Sequence, residues 1–271
     1  GASPAPARCI ASARPSARPR GGPGLSAGLP ALPPVRDLPP VSVAHGVPAD
    51  LLPLYRDQGL HLPAAHLASR TARMAQGSHE QLRVAVLLVQ FPGEPADQLA
   101  HSRAYYERLF FSHGELPGGS ITEASSNGRL SLVGEVRGWY TLSQPRSYYA
   151  AGAAGIGIFY PRNSQGLAEE AVRLANPHIN FAHFDDEGPD GVADSGDDDE
   201  LIDALVVVHQ GGGSETAGRD QLASVAWVTA SRIPVDGVFA LPFALTPENG
   251  EIGVCIHELG HLLGLPDLYD T

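Results

Sequence analysis

A chain of 271 residues is long enough for one or two domains, and 43% hydrophobic residues can build a sizeable core. The formal net charge is −12 and, histidine aside, every basic side chain is arginine, a balance that argues against nucleic acid or an anionic membrane surface as a partner. Two cysteines, Cys9 and Cys255, exclude a disulfide scaffold. No apolar run approaches the ~20 residues of a membrane-spanning helix. No signal peptide is visible, and the sequence opens on Gly1 rather than Met, which leaves room for an upstream signal.

Residues 1–40 are rich in Pro, Ala, Arg and Gly ("SPAPARCIASARPSARPRGGPG"), a composition that predicts a disordered leader. Residues 41–81 are mixed, with short helices expected at "LLPLYRDQ" and "HLASRTARMAQ". At Leu82 the composition shifts. "LRVAVLLVQF" reads as a buried strand and opens a folded domain over 82–271. A helix is expected over 97–111. Ser120 and Glu123 offer a capping box, and strands follow at Leu130–Val136 and Trp139–Leu142. Asn163–Ala175 predicts a helix stopped by Pro177, "LIDALVVVH" a buried strand, and "LASVAWVTA" and "VFALPFAL" the last strands. Glu251–Leu263 is the final helix, ended by Gly264 and Pro266. Without strict βαβ alternation the pattern fits α+β better than a doubly wound sheet.

The last helix carries the chemistry. In "CIHELGHLLGLPDLYD" two histidines, His257 and His261, stand four residues apart. On a helix that spacing is about 40° of rotation, so both imidazoles can grip one ion while Glu258 stands beside the same face. HExxH arises by chance in roughly 2% of shuffled chains of this composition, and in roughly one or two in ten thousand once Gly264 and Asp267 are also required. Gly264 lets the chain turn back in a left-handed conformation, Pro266 blocks further helix, and the turn can bring Asp267 toward the ion. Two histidines and a carboxylate leave a fourth position open, as in catalytic zinc sites. Glu258 is then the general base for metal-activated water in peptide hydrolysis.

"HELGHLLGLPDLYD" resembles the immune inhibitor A family of secreted bacterial zinc metallopeptidases. "SNGRLSLVGEVRGWYTL" with "SYYA", "INFAHFDDEGPDGVADSGDDDELIDALVVVHQGGGSE" and "PENGEIGVCIHELGH" are similar to further segments of that family, so the resemblance covers roughly 82–271. It implies a metzincin-like zincin fold, with a mixed twisted sheet and an active-site helix. It also implies a pro-segment (here 41–81), export, and endopeptidase activity on protein or peptide substrates. By the family pattern His257, His261 and Asp267 are the zinc ligands and Glu258 the catalytic glutamate. Such peptidases carry a methionine turn and a tyrosine downstream of the third ligand. Here the one methionine is Met74, so the sequence is expected to be the N-terminal part of a longer protein, or else a damaged copy.

"DDEGPDGVADSGDDDELID" (185–203) crowds ten acidic residues between apolar segments. Asp185, Glu187, Asp190, Asp194, Asp197, Asp199 and Asp203 are spaced to supply calcium's six to eight oxygens, with a solvated acidic loop as the alternative. Cys255 reads as a small buried residue under the helix, and His209 as a strand-end histidine rather than a ligand. His178 and His183 carry no motif, and the Gly211–Gly213 run reads as a plain loop. Two functions remain open: a secreted, monomeric zinc endopeptidase precursor, or a catalytically inactive, calcium-stabilised extracellular module derived from one.

Overall fold

The structure is a computed structural model that describes residues 47, 50–58, 80–112, 121, 130–186 and 198–265. The helix expected at "HLASRTARMAQ", the capping box, the 1–40 leader and most of the acidic loop lie outside the described residues.

Five strands form one mixed sheet. They are β1 (Glu80–Gln90), β2 (Leu130–Thr141), β3 (Ala204–His209), β4 (Val225–Val235) and β5 (Val238–Pro247), in the order β2–β1–β3–β5–β4. β1 runs parallel to β2 and β3, and β3 parallel to β5. β4 is antiparallel to β5 and lies at the edge. The two are joined through Asp236 and Gly237, both at positive φ, as a tight two-residue hairpin requires. Six α-helices are described, α1 (Leu52–Gln58), α2 (Arg103–Phe111), α3 (Arg146–Ala150), α4 (Ser164–Ala175), α5 (Ser214–Ala217) and α6 (Ile252–Leu262), with short 3₁₀ helices at Asn176–His178 and Phe181–Phe184.

Continuous apolar strands mean a sheet covered on both faces. Val84 to Val89 are fully buried, and alternation along the strand divides them between two cores. Ala85, Leu87, Val89, Leu205 and Val207 face one side with Leu167, Ala168, Ala171 and Val172 of α4. Val84, Val86, Leu88, Val206 and Val208 face the other, with Tyr106 and Phe110 of α2 and Cys255, Leu259 and Leu262 of α6. Two helices begin where a side-chain cap dictates: Asn163 accepts the N–H of Gly166 at the start of α4, and Ser102 that of Tyr105 at the start of α2.

Two features depart from the sequence reading. β2 is one strand rather than two, because a register shift between Leu88 and Val89 absorbs Trp139, whose indole Nε1–H donates to the His101 carbonyl at 3.0 Å. The short helices α3 and α5 carry no apolar period long enough to predict them. α1 stands where a short helix was expected, in the stretch read as a pro-segment, and packs into the core against β4. Tyr55 is fully buried, its hydroxyl donates to the Ala226 carbonyl at 2.7 Å, and its ring meets Trp227 edge-on at 6.0 Å.

The edge strand is locally irregular. Val228 lies opposite Pro242, which has no N–H, and Gln165 Nε2 of α4 supplies the missing donor to its carbonyl at 2.8 Å. Two residues on, the N–H of Ala230 is taken by the buried Glu169 carboxylate at 3.1 Å.

His209 ends β3 on the α4 side of the sheet, fully buried beside Phe91, with Nδ1 3.0 Å from the Gln210 carbonyl. Burial, reinforced by the nearby Arg146 guanidinium, pushes its pKa down from 6.5 to about 4. The unfolded chain therefore takes up a proton between those values that the folded chain refuses. The stabilisation is complete above about pH 6.5 and is lost as pH falls toward 4, by about 3 kcal/mol in all. Urea melts at pH 7 and pH 4.5 should show a drop that His209→Gln removes; an unchanged drop in that variant would assign the acid sensitivity elsewhere.

Candidate active site

α6 is laid on the sheet by its own sequence. Taking His257 as the angular origin, Cys255, Leu259 and Leu262 fall at about 140–200° and point into the core, and His261 falls at about 40° on the far side. Glu258, at about 100°, stands on the flank. Burial follows this geometry: Cys255, Leu259 and Leu262 belong to the core, Glu258 is fully buried, and His257 is half-buried. Cys255 is a free thiol pushed up to about 12, chiefly by burial, so it packs rather than reacts.

The imidazoles converge. Nε2 of His257 and Nε2 of His261 are 2.9 Å apart, with ring centroids 4.4 Å apart and planes at 85°. His261 is 2% exposed despite facing away from the sheet, because the chain turns back over it. Gly264, at φ 81°, takes the left-handed position. The Leu265 N–H reaches the Gly260 carbonyl at 3.0 Å and the Gly264 N–H the His261 carbonyl at 2.9 Å, the two bonds of a Schellman ending. The same turn aims the Leu265 carbonyl at His261 Nδ1, 2.8 Å away. A carbonyl only accepts, so Nδ1 carries the hydrogen and Nε2 the lone pair.

This donor set fits a zinc ion. Two imidazole nitrogens 2.9 Å apart can both stand at the roughly 2.0–2.1 Å of a zinc–imidazole bond, and a Nδ1–H held by a carbonyl is the usual support of a metal-binding histidine. The third expected ligand, Asp267, lies outside the described residues, and among the described residues no three ligand side chains group together.

Of the expected calcium ligands, Glu187, Asp190, Asp194 and Asp197 also lie outside the described residues. Asp185 and Asp203 are buried, and the Asp203 carboxylate accepts the Asp186 N–H at 2.9 Å. Asp186 in turn binds Arg83 at 2.8 Å, and Asp199 accepts the Leu201 N–H at 2.9 Å. Three further histidines stand away from this pair. His209 is a core residue on the face opposite α6. His178 stacks on Tyr140, and His183 meets Asn180. Sequence reasoning missed Glu248, which is buried where β5 hands the chain to α6.

A mixed sheet backing a helix that presents two converging imidazoles defines a metallopeptidase-like fold. The sequence model of the family described as "Immune inhibitor A peptidase M6, catalytic domain" matches residues 119–271, more than half of the chain. The chain belongs to this family of metallopeptidases. It is 29% identical over 245 residues to a "Pre-pro-metalloprotease PrtV" of Vibrio cholerae serotype O1, covering 75% of this chain and 26% of that protein. It is 32% identical over 170 residues to an "Immune inhibitor A" of Bacillus thuringiensis subsp. alesti, covering 55% of this chain and 25% of that one. The chain thus spans about a quarter of the length of these curated relatives.

An alanine at 264 keeps the helix sequence but must adopt φ 81°. Gly264→Ala should destabilise the chain by about 1 kcal/mol in a urea melt. Unchanged stability would mean the turn over His261 is not held in this form.

Proposed function

We propose that this chain carries the metal centre of a secreted zinc endopeptidase, with His257, His261 and Asp267 as ligands and Glu258 as general base. The observation that carries the reading is the 2.9 Å approach of the two Nε2 atoms, with the His261 lone pair fixed by the Leu265 carbonyl. Family membership supports peptide bonds as the substrate class. Among the described residues no helix is long and apolar enough to cross a membrane, and the printed name of the Vibrio relative, a pre-pro-protein, supports export and a pro-segment. The 41–81 stretch is the candidate for that segment.

Zinc, when bound, supplies Lewis-acid polarisation of the scissile carbonyl and acidifies water. His257 and His261 would hold it on the side of α6 turned away from the sheet, while the core side of the helix fixes their backbone. Glu258, next in sequence to His257, takes one proton from the attacking water as its oxygen bonds the carbonyl carbon. It then delivers that proton to the amine nitrogen as the C–N bond breaks. Burial keeps the Glu258 carboxylate out of bulk water and its rotamer restricted.

In the full-length protein, metal analysis should find about one zinc per chain, lost in His261→Ala. Glu258→Ala should keep the zinc while peptidase activity falls by roughly 10²–10⁴-fold. Zinc retained in the first variant would remove the site, and activity retained in the second would remove Glu258 as the base. An intact protein that binds zinc yet cleaves nothing would favour the inactive-module reading.

For the 185–203 loop we infer calcium rather than free solvation, on the self-repulsion of its ten carboxylates. Calcium at millimolar concentration should raise the melting temperature over a chelator control. Identical curves would make the loop a solvated acidic segment.

A further inference from the structure

The direction in which α6 leaves the sheet decides where both imidazoles stand, and only Glu248 to Glu251 separate β5 from α6. The helix does not fix its own start: Glu251 stands at the N-cap and makes no side-chain capping bond. Glu248 does something else. Its carboxylate is 3% exposed and accepts from three separate places: Oε1 from the Asp97 N–H at 2.8 Å and from His101 Nδ1 at 3.2 Å, Oε2 from the Gly211 N–H at 2.8 Å. Its backbone is tied as well, the N–H to the His209 carbonyl at 2.7 Å and the carbonyl to the Tyr106 hydroxyl at 3.3 Å. Asn249 adds a bond from its N–H to the Gly211 carbonyl at 3.2 Å. One residue thereby joins the loop after β1, the first turns of α2, the end of β3 and the launch of the metal-binding helix.

We propose that Glu248 is a positioning residue for the metal centre. It fixes the entry of α6, and through it the spacing of His257 and His261. This rests on the zinc reading above for its functional consequence, although the clasp itself does not depend on zinc. The chemistry demands a carboxylate. Both oxygens face donors, so an amide at this position would turn its own N–H₂ toward an N–H, and an alkyl group would take the acceptor away from two part-buried N–H groups. Shape alone would tolerate glutamine, the isostere. Acceptor chemistry would prefer aspartate, which is shorter but keeps both oxygens.

The experiment compares wild type, Glu248→Gln and Glu248→Asp in the whole 271-residue chain by two readouts. The first is amide hydrogen exchange of Asp97, Gly211 and the first turn of α6 without metal. The second is zinc affinity by competition with a chromophoric chelator, at a temperature where all variants are folded. We expect exchange of those three places to accelerate together in Glu248→Gln, with zinc affinity down roughly 10- to 100-fold, and both to recover partly in Glu248→Asp. Exchange at α6 equal to wild type in Glu248→Gln, or glutamine outperforming aspartate, overturns the proposal. Should wild type bind no zinc, the proposed function fails while the exchange result still judges the clasp. Should Glu248→Gln not fold, His101→Phe removes one contact to the same carboxylate. Zinc affinity a few-fold weaker at unchanged melting temperature then supports the positioning role, and wild-type affinity overturns it.

Discussion

One hydrogen bond, from His261 Nδ1 to the Leu265 carbonyl, ties the end of the last helix to its chemistry. It exists because Gly264 reverses the chain immediately after the helix, and it does two things at once. It shields His261 from solvent, and it leaves the Nε2 lone pair pointing at His257. A helix that continued straight would expose the second histidine and leave both its nitrogens open to water. The glycine that ends the helix is therefore part of the site.

The rest of the fold supplies a rigid base for that helix. Parallel strands β1, β3 and β5, apolar on both sides, need layers above and below, and α4 and α6 provide them. α6 buries Cys255, Leu259 and Leu262, so its rotation about its own axis is set by packing, while its entry is set by polar contacts at Glu248. Packing fixes which face carries the histidines, and hydrogen bonds fix where that face points. The two mechanisms are separable by mutation, because a carboxylate can be exchanged without removing a single core contact.

Much of the site was legible in the sequence because its determinants are local. A four-residue spacing, a glycine and a proline read directly as an imidazole pair and a turn. Buried strands were legible from apolar runs: β3 lies within the segment that predicts it, while β1 begins two residues before its segment and β5 ends two residues after its own. What escaped depends on contacts between distant segments. The continuity of β2 rests on a bulge that its partner β1 imposes, and the hairpin at Asp236-Gly237 was carried by a two-residue turn signal between two runs read only as strands. Glu248 is one glutamate among many in an acidic chain, and nothing local marks it as buried between loops more than a hundred residues apart. The packing of Tyr55 on Trp227 belongs to the same class: the segment predicts a short helix, and only tertiary contact shows its tyrosine inside the core.

The central claim is that an ion sits between His257 and His261 with oxygen rather than sulfur completing its shell. X-ray absorption at the zinc edge of the zinc-loaded protein tests this most directly. The account predicts a first shell of nitrogen and oxygen at about 2.0–2.1 Å, with the outer-shell scattering of two imidazoles. A sulfur shell at about 2.3 Å, which would bring in Cys255, or the absence of imidazole scattering, would contradict it.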